Sequence, residues 1–361
     1  MQCYITQTAS YLPGPAVENE DIQKYLGTID GDAEVMPAVL SMNGILTRHY
    51  AQDQQQQKTH DVYGLGANAV HKCLAESQGT NPTYLATGTT YSPLAAPGFA
   101  SILHSQLQDR NVLNHPVEIS SHSGICSSAA TAMVGAIRAV SSGQHDSALC
   151  VGAEHASEVL KASKIRPVDD RDQHTNLRNS QWFMSVFLRF MLSDGAGAFL
   201  LENKPSADRL SLKVNWTHSQ SYAHETPLCM QLDNSTAQLS QDISVLSRHL
   251  VPSASQFLNS AIETNQDDLD SYTMVLPHMS SFFFRRKMER VIARNCADPD
   301  NPVPYWTNLA TAGNTGAASI YLMLDEFIKQ HDLSDGDRLL LFVPESGQFN
   351  YVMVSLTVVL P

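Results

Sequence analysis

The chain has 361 residues, a length at which one hydrophobic core gives way to two domains or a large layered fold. Its 23 Lys and Arg against 36 Asp and Glu leave a net charge of −13, which argues against a broad phosphate-binding surface and hence against a general nucleic-acid partner. With 43% hydrophobic and 16% charged residues, the composition is that of a globular protein and not of a disordered one.

Short apolar runs bounded by turn residues alternate with helical patterns, the cadence of an α/β fold with buried strands. Residues 83–87 predict a strand, about 98–107 a helix and 117–119 the next strand. Residues 127–142 carry Ala, Met, Val and Ile over most of a helical circumference, so this helix is expected to be buried nearly all round, with Gly143 as its C-cap. Buried strands are expected at 147–152 and 196–202. Between them, the polar segment 157–188, which includes Arg166-Pro167-Val168-Asp169-Asp170-Arg171, reads as a surface excursion at a dimer contact or pocket mouth.

The second half repeats this cadence, with a strand over 210–216, a polar connection to about 240, a long helix to about 263, a strand over 274–276 and a helix over 282–295. A helix over 317–330 and strands over 338–343 and 351–359 complete it. No residue-level repeat is visible, yet the halves share an order of elements. Pro205-Ser206-Ala207-Asp208 marks the expected boundary between 1–206 and 207–361. Apolar stretches are broken before the roughly 18 to 20 residues a membrane helix needs, and the N-terminus has no basic region ahead of an apolar run. A cytoplasmic protein without a membrane span is expected. The six cysteines, at 3, 73, 126, 150, 229 and 296, form no CxxC pair and are expected as reduced thiols without a metal.

Cys126 lies in Ser123-Gly124-Ile125-Cys126-Ser127-Ser128, a turn between a strand and the buried helix. A thiol at a helix N-terminus faces the positive end of the macrodipole, which is expected to lower its pKa; the alternative is a packed structural thiol. His278 follows the apolar run Val275-Leu276-Pro277, and Asn314 sits in Gly313-Asn314-Thr315-Gly316. Each alone fits a structural His or a turn Asn. A nucleophilic Cys with a distant His and Asn is the pattern of a site that the fold assembles.

With Gly44-Ile45, Arg48-His49-Tyr50, Ser193-Asp194-Gly195-Ala196-Gly197-Ala198, Leu276-Pro277-His278 and Gly313-Asn314-Thr315-Gly316-Ala317-Ala318-Ser319, the chain resembles β-ketoacyl-acyl-carrier-protein synthase III of the thiolase superfamily. These segments run in family order from near residue 3 to near residue 359. The resemblance implies a five-layered αβαβα fold of two related halves and a homodimer whose sheets continue across the interface. It implies catalytic Cys126, His278 and Asn314, with backbone N–H groups of Cys126 and Gly347 as the oxyanion hole. The implied substrates are acyl and malonyl thioesters on coenzyme A or acyl carrier protein, with no metal or redox cofactor.

The chain also departs from that pattern. Glu345 stands where the housekeeping enzyme carries a Phe, and a carboxylate there is expected to modulate the site by orienting His278 or raising its pKa. Met279-Ser280-Ser281 replaces the usual Gln-Ala-Asn, and Ala38 and Met42 align with the Trp and Arg that clamp coenzyme A. These departures point to a specialised pathway of fatty acid or polyketide type. Arg285, Arg286, Lys287, Arg290 and Arg294 form the densest basic cluster and are expected to dock an acidic carrier protein. An acyltransferase on the same fold is the main alternative. Head-to-head or pyrone-forming condensation ranks lower, because Ala96 aligns with the Glu which that branch uses, and an idle scaffold subunit would lack the nucleophile.

Overall fold

The structure, a computed structural model, describes residues 1–77, 79–165, 181–233 and 235–361. Nine strands of one sheet are numbered in chain order: β1 (Tyr4–Tyr11), β2 (Tyr84–Thr89), β3 (Glu118–Ser123), β4 (Ser147–Glu154), β5 (Gly195–Glu202), β6 (Ser211–Ser221), β7 (Met274–Pro277), β8 (Arg338–Pro344) and β9 (Asn350–Val359). The helices of eight or more residues are α1 (Asp32–Asn43), α2 (Val62–Ala75), α3 (Phe99–Asp109), α4 (Ser128–Ser141), α5 (Gln181–Arg189), α6 (Ile243–Asn265), α7 (Arg285–Ala293) and α8 (Ser319–Gln330).

Strand order across the sheet is β7-β8-β9-β6-β1-β5-β4-β2-β3. The first half supplies β2 parallel to β4, β4 antiparallel to β5, and β5 antiparallel to β1. The second half repeats this, with β7 parallel to β8, β8 antiparallel to β9, and β9 antiparallel to β6. Even the outermost β3 has a counterpart, since Tyr305 forms a parallel bridge with Val275 of β7. The halves join where Tyr4 and Ile5 of β1 pair with Lys213 and Leu212 of β6.

Three buried apolar clusters make the layering. One packs α2 and α3 on the first half-sheet through residues such as Leu65, Val70, Phe99 and Leu103. Another packs α6 and α7 on the second half-sheet through Phe257, Leu258, Val291 and Phe342. The third holds α4 and α8 between both half-sheets, with Met133, Ile137, Tyr321, Leu324 and Phe327 meeting Phe199 and Leu341. The succession is helix, sheet, helix, sheet, helix, the five-layered thiolase fold. As its composition predicts, α4 is buried on most sides, leaving Arg138 exposed, and Gly143 takes φ +80° past its end.

Three expectations need correction. The connection before α6 contains a two-stranded hairpin, Met230–Asp233 with Gln238–Gln241, whose four-residue strands are too short for their alternation to stand out. Residues 282–295 begin as a 3-10 turn, Phe282–Phe284, before α7. The described parts of 157–188 are not a surface excursion: Val159 and Leu160 are buried, and Trp182, Phe183, Met184 and Val186 of α5 pack with Ile22, Leu26 and Val39. The run 166–171 lies outside the described residues.

The layers approach closely where side chains vanish. A Cβ on Gly88 of β2 would lie 2.3 Å from Ala129 Cα in the first turn of α4, and one on Gly197 of β5 would lie 2.4 Å from Tyr321 Cβ of α8. Overpacking a closed core costs about 1–3 kcal/mol. A Gly88→Ala variant is expected to lose about 3 kcal/mol in urea unfolding, the upper end of that range, because its clash is with backbone that cannot rotate away. An unchanged midpoint would show that α4 can shift freely.

Candidate active site

Cys126 sits in the turn from β3 into α4 and is 7% exposed. The next residue, Ser127, is held by Glu345 from the end of β8: its N–H donates to Glu345 Oε2 at 3.2 Å, and its hydroxyl donates to the same oxygen. Asn350 Nδ2 donates to Ser127 Oγ at 2.8 Å. Burial and the nearby Glu345 and Glu154 carboxyls push the Cys126 thiol up, against the expected lowering. The reason is local: the thiol is desolvated, and the Ser127 N–H is occupied by a carboxylate. Burial likewise raises Glu345. Its carboxyl is engaged by Ser127 and not by His278, so the expectation that it orients His278 is not met.

Gly347, in the turn between β8 and β9, permits that turn to lie against the Cys126 turn. A Cβ there would meet Glu345 Oε1 at 2.7 Å and Ile125 Cγ1 at 2.8 Å. Its carbonyl accepts from the N–H groups of Cys229 and Met230 at 2.9 and 3.1 Å, which ties the turn to the hairpin.

His278 leaves the end of β7, its backbone N–H continuing the ladder to Phe342 O at 2.8 Å. It is 4% exposed, and its Nε2 has no hydrogen-bond partner among the described residues. Burial pulls its pKa down to about 4, so the ring is neutral at pH 7. Asn314 precedes α8, where its Oδ1 accepts the Gly316 N–H at 3.0 Å. Its own N–H donates to Met191 O at 3.2 Å and its carbonyl accepts from Ser193 N at 2.8 Å. With Oδ1 committed, the NH2 end of the amide is left to donate.

Two cavities meet at Cys126. One, of about 540 Å³, includes Asn314 and is walled largely by apolar side chains such as Leu188, Met191 and Leu239. The other, of about 570 Å³, includes His278 and runs past Leu250 and Met288 to Lys287. Fold alone thus brings Cys126, His278 and Asn314 together from distant parts of the chain. Of the basic cluster, Lys287 reaches the second cavity, its Nζ lying 5.3 and 5.5 Å from the Phe283 and Phe284 ring centroids. Arg285, Arg286, Arg290 and Arg294 are exposed on or just after α7, with Arg285 paired to Glu289 at 3.0 Å.

Sequence reasoning missed Glu154, which ends β4 and lines the apolar cavity. Its Oε2 accepts from Thr90 Oγ1 at 2.7 Å and from Ala317 N at 3.1 Å, and burial raises its pKa to about 7. The available signal was a carboxylate placed directly after the unbroken apolar run of β4. Among the described residues no group of three or more His, Cys, Asp or Glu is arranged to hold a metal ion. No helix of the described residues is long and apolar enough to cross a membrane.

Residues 262–348 match the family model described as 3-oxoacyl-[acyl-carrier-protein] synthase III C terminal, a span that contains His278, Asn314 and Gly347. A β-ketoacyl-[acyl-carrier-protein] synthase III of Neisseria gonorrhoeae is 25% identical over 341 residues, covering 93% of each chain. Among solved structures, OleA of Xanthomonas campestris with bound lauric acid and lauroyl-CoA superposes with TM-score 0.78 at 17% identity, covering 99% of both chains. The tetronic acid condensing enzyme AbyA1 superposes with TM-score 0.77 at 18% identity, covering 98% of this chain and 99% of that one. The chain is thus similar to β-ketoacyl-[acyl-carrier-protein] synthase III proteins over nearly its whole length and shares their thiolase fold, with the family model matching its C-terminal part.

Proposed function

We propose that the chain is a condensing enzyme of the acyltransferase class that joins a Cys126-bound acyl group to a malonyl-thioester with loss of carbon dioxide, or to a 3-oxoacyl-thioester whose α-proton ends on the released Cys126 sulfur. The observation that carries this is the meeting at one buried thiol of an apolar cavity beside Asn314 and a second cavity beside His278. Sγ of Cys126 attacks the acyl thioester carbonyl, and the thiol proton leaves with the departing thiol. Backbone N–H groups of Cys126 and Gly347 receive the developing oxyanion.

A malonyl thioester then enters along the His278 cavity. Loss of carbon dioxide leaves an enolate whose oxygen accepts hydrogen bonds from His278, in its Nε2–H tautomer, and from Asn314 Nδ2. The enolate carbon attacks the acyl group, the carbon–sulfur bond to Cys126 breaks, and the released thiolate takes a proton from solvent. That thiolate is a good proton acceptor, because burial and two carboxyls push the Cys126 thiol up. Neutral His278 donates without placing a second ion in the pocket. These steps need no metal or redox cofactor.

Supporting the docking of an acyl carrier protein, Lys287 lines the His278 cavity, and Arg286 and Arg290, exposed on the same helix, line a separate surface groove with Pro304 and Tyr305. The unpaired edge of β3, where Glu118 and Ile119 are exposed, supports pairing with a second copy into a homodimer in the cytoplasm. Ala38 and Met42 where coenzyme A would be clamped, and Glu345 beside the nucleophile, support a specialised substrate and pathway.

The test is intact mass of the purified protein after acyl-thioester loading, followed by malonyl carrier protein and measurement of released carbon dioxide. Cys126→Ala is expected to abolish the adduct. His278→Asn is expected to keep acylation and lose roughly 100-fold or more in carbon dioxide release, the effect of one oxyanion donor. An adduct discharged to an alcohol or amine without carbon dioxide would instead make the protein a simple acyltransferase.

Removing the Glu345 charge favours the thiolate, so Glu345→Gln is expected to raise the rate of Cys126 alkylation by iodoacetamide at pH 8 several-fold; a slower rate would refute that electrostatic role. Paired Arg286→Glu and Arg290→Glu changes are expected to raise KM for a carrier-bound substrate about tenfold and leave KM for a small thioester unaltered. Equal effects on both substrates would exclude docking there.

A further inference from the structure

The wall between the Cys126 cavity and the outside is one hairpin thick. In that hairpin Met230 pairs with Gln241 and Leu232 with Leu239, and these four side chains share the face that lines the Cys126 cavity. The alternate pair, Gln231 and Ser240, lines an outer cavity of about 880 Å³ on the opposite face. Gln241 lines both cavities. It is the polar member of the inner four, and its Nε2 donates to Met230 Sδ at 3.7 Å, a weak acceptor that holds it loosely.

We propose that Gln241 is the chain-length determinant of the acyl site, closing the Cys126 cavity at the hairpin so that a longer unbranched acyl chain reaches the outer cavity only by displacing its side chain. This rests on the reading of Cys126 as the acyl acceptor. The apolar walls favour a saturated chain, each buried methylene strengthening binding about fourfold until the chain meets the Gln241 amide. Beyond that length the amide must leave its place and the apolar gain stops. The residue thereby sets a ceiling without touching the reacting atoms. Truncation at Gln241 merges the inner and outer cavities, whereas a bulkier side chain shortens the inner one.

The experiment follows acylation rates of the full chain by intact mass with saturated acyl-coenzyme A thioesters from butyryl to palmitoyl. For wild type, a rise with length followed by a sharp fall is expected. Gln241→Ala is expected to accelerate acylation by the first chains beyond that ceiling about tenfold while changing shorter chains less than about twofold. Gln241→Trp is expected to lower the ceiling, and Gln241→Met, similar in length, to leave it in place. Should the Ala variant fail to fold, the Trp and Met variants decide. If wild type is acylated on Cys126 and folded variants share its length profile, Gln241 is not the determinant and the acyl-acceptor reading stands. Absence of an adduct with every chain overturns both.

Discussion

The contact on which the molecule turns is the seating of two central helix N-termini on side-chain-free strand positions. At Gly88 the backbone of Ala129 comes closer than any Cβ permits, and at Gly197 the Cβ of Tyr321 does so. Tyr321 of α8 then donates from its hydroxyl to Ala129 O of α4 at 2.8 Å and stacks on Phe199 with ring centroids 4.4 Å apart. That single side chain ties the middle layer together across the two halves. Because Cys126 lies two residues before α4 and Asn314 shortly before α8, the same seating brings the Cys126 thiol and the Asn314 amide to one cavity.

Burial governs the electrostatics of that cavity. It raises the Cys126 thiol, raises Glu345 and Glu154, and lowers His278. All four shifts favour the neutral form, as expected for groups taken out of water. In such surroundings a developing charge must be met by fixed donors, the role proposed above for His278 Nε2 and the Asn314 amide. Glu345 belongs to a different task. It accepts the Ser127 N–H just before α4 and backs against Gly347, which ties the Cys126 turn to the 345–348 turn.

The rest of the site is made by elements with little core of their own. The hairpin at 230–241, through Met230, Leu232, Leu239 and Gln241, and Leu188 of α5 wall the cavity that holds Cys126 and Asn314. Gly347 O, by accepting from Cys229 and Met230, connects this closing layer to the reaction centre.

Most of the central elements were legible because their burial is written into composition. The run over 148–153 in β4 is apolar since both of its faces are covered, and α4 is apolar round most of its circumference since it lies between two half-sheets. Cys126, His278 and Asn314 each fitted a structural residue when read alone, and it was the resemblance of their segments to ketosynthase III that singled them out as a set. The hairpin, the buried face of α5 and the role of Glu154 were not legible, because four-residue strands and single polar residues carry no period to detect. Nor did local rules give the charge state of Cys126. A helix N-terminus lowers a thiol only while its N–H groups are free, and whether Glu345, far along the chain, takes one of them is a fact of tertiary packing. By itself the sequence determined the layered α/β pattern and the types of reactive group. The tertiary structure alone decided their juxtaposition, protonation and enclosing walls, since these depend on which distant surfaces exclude water from one another.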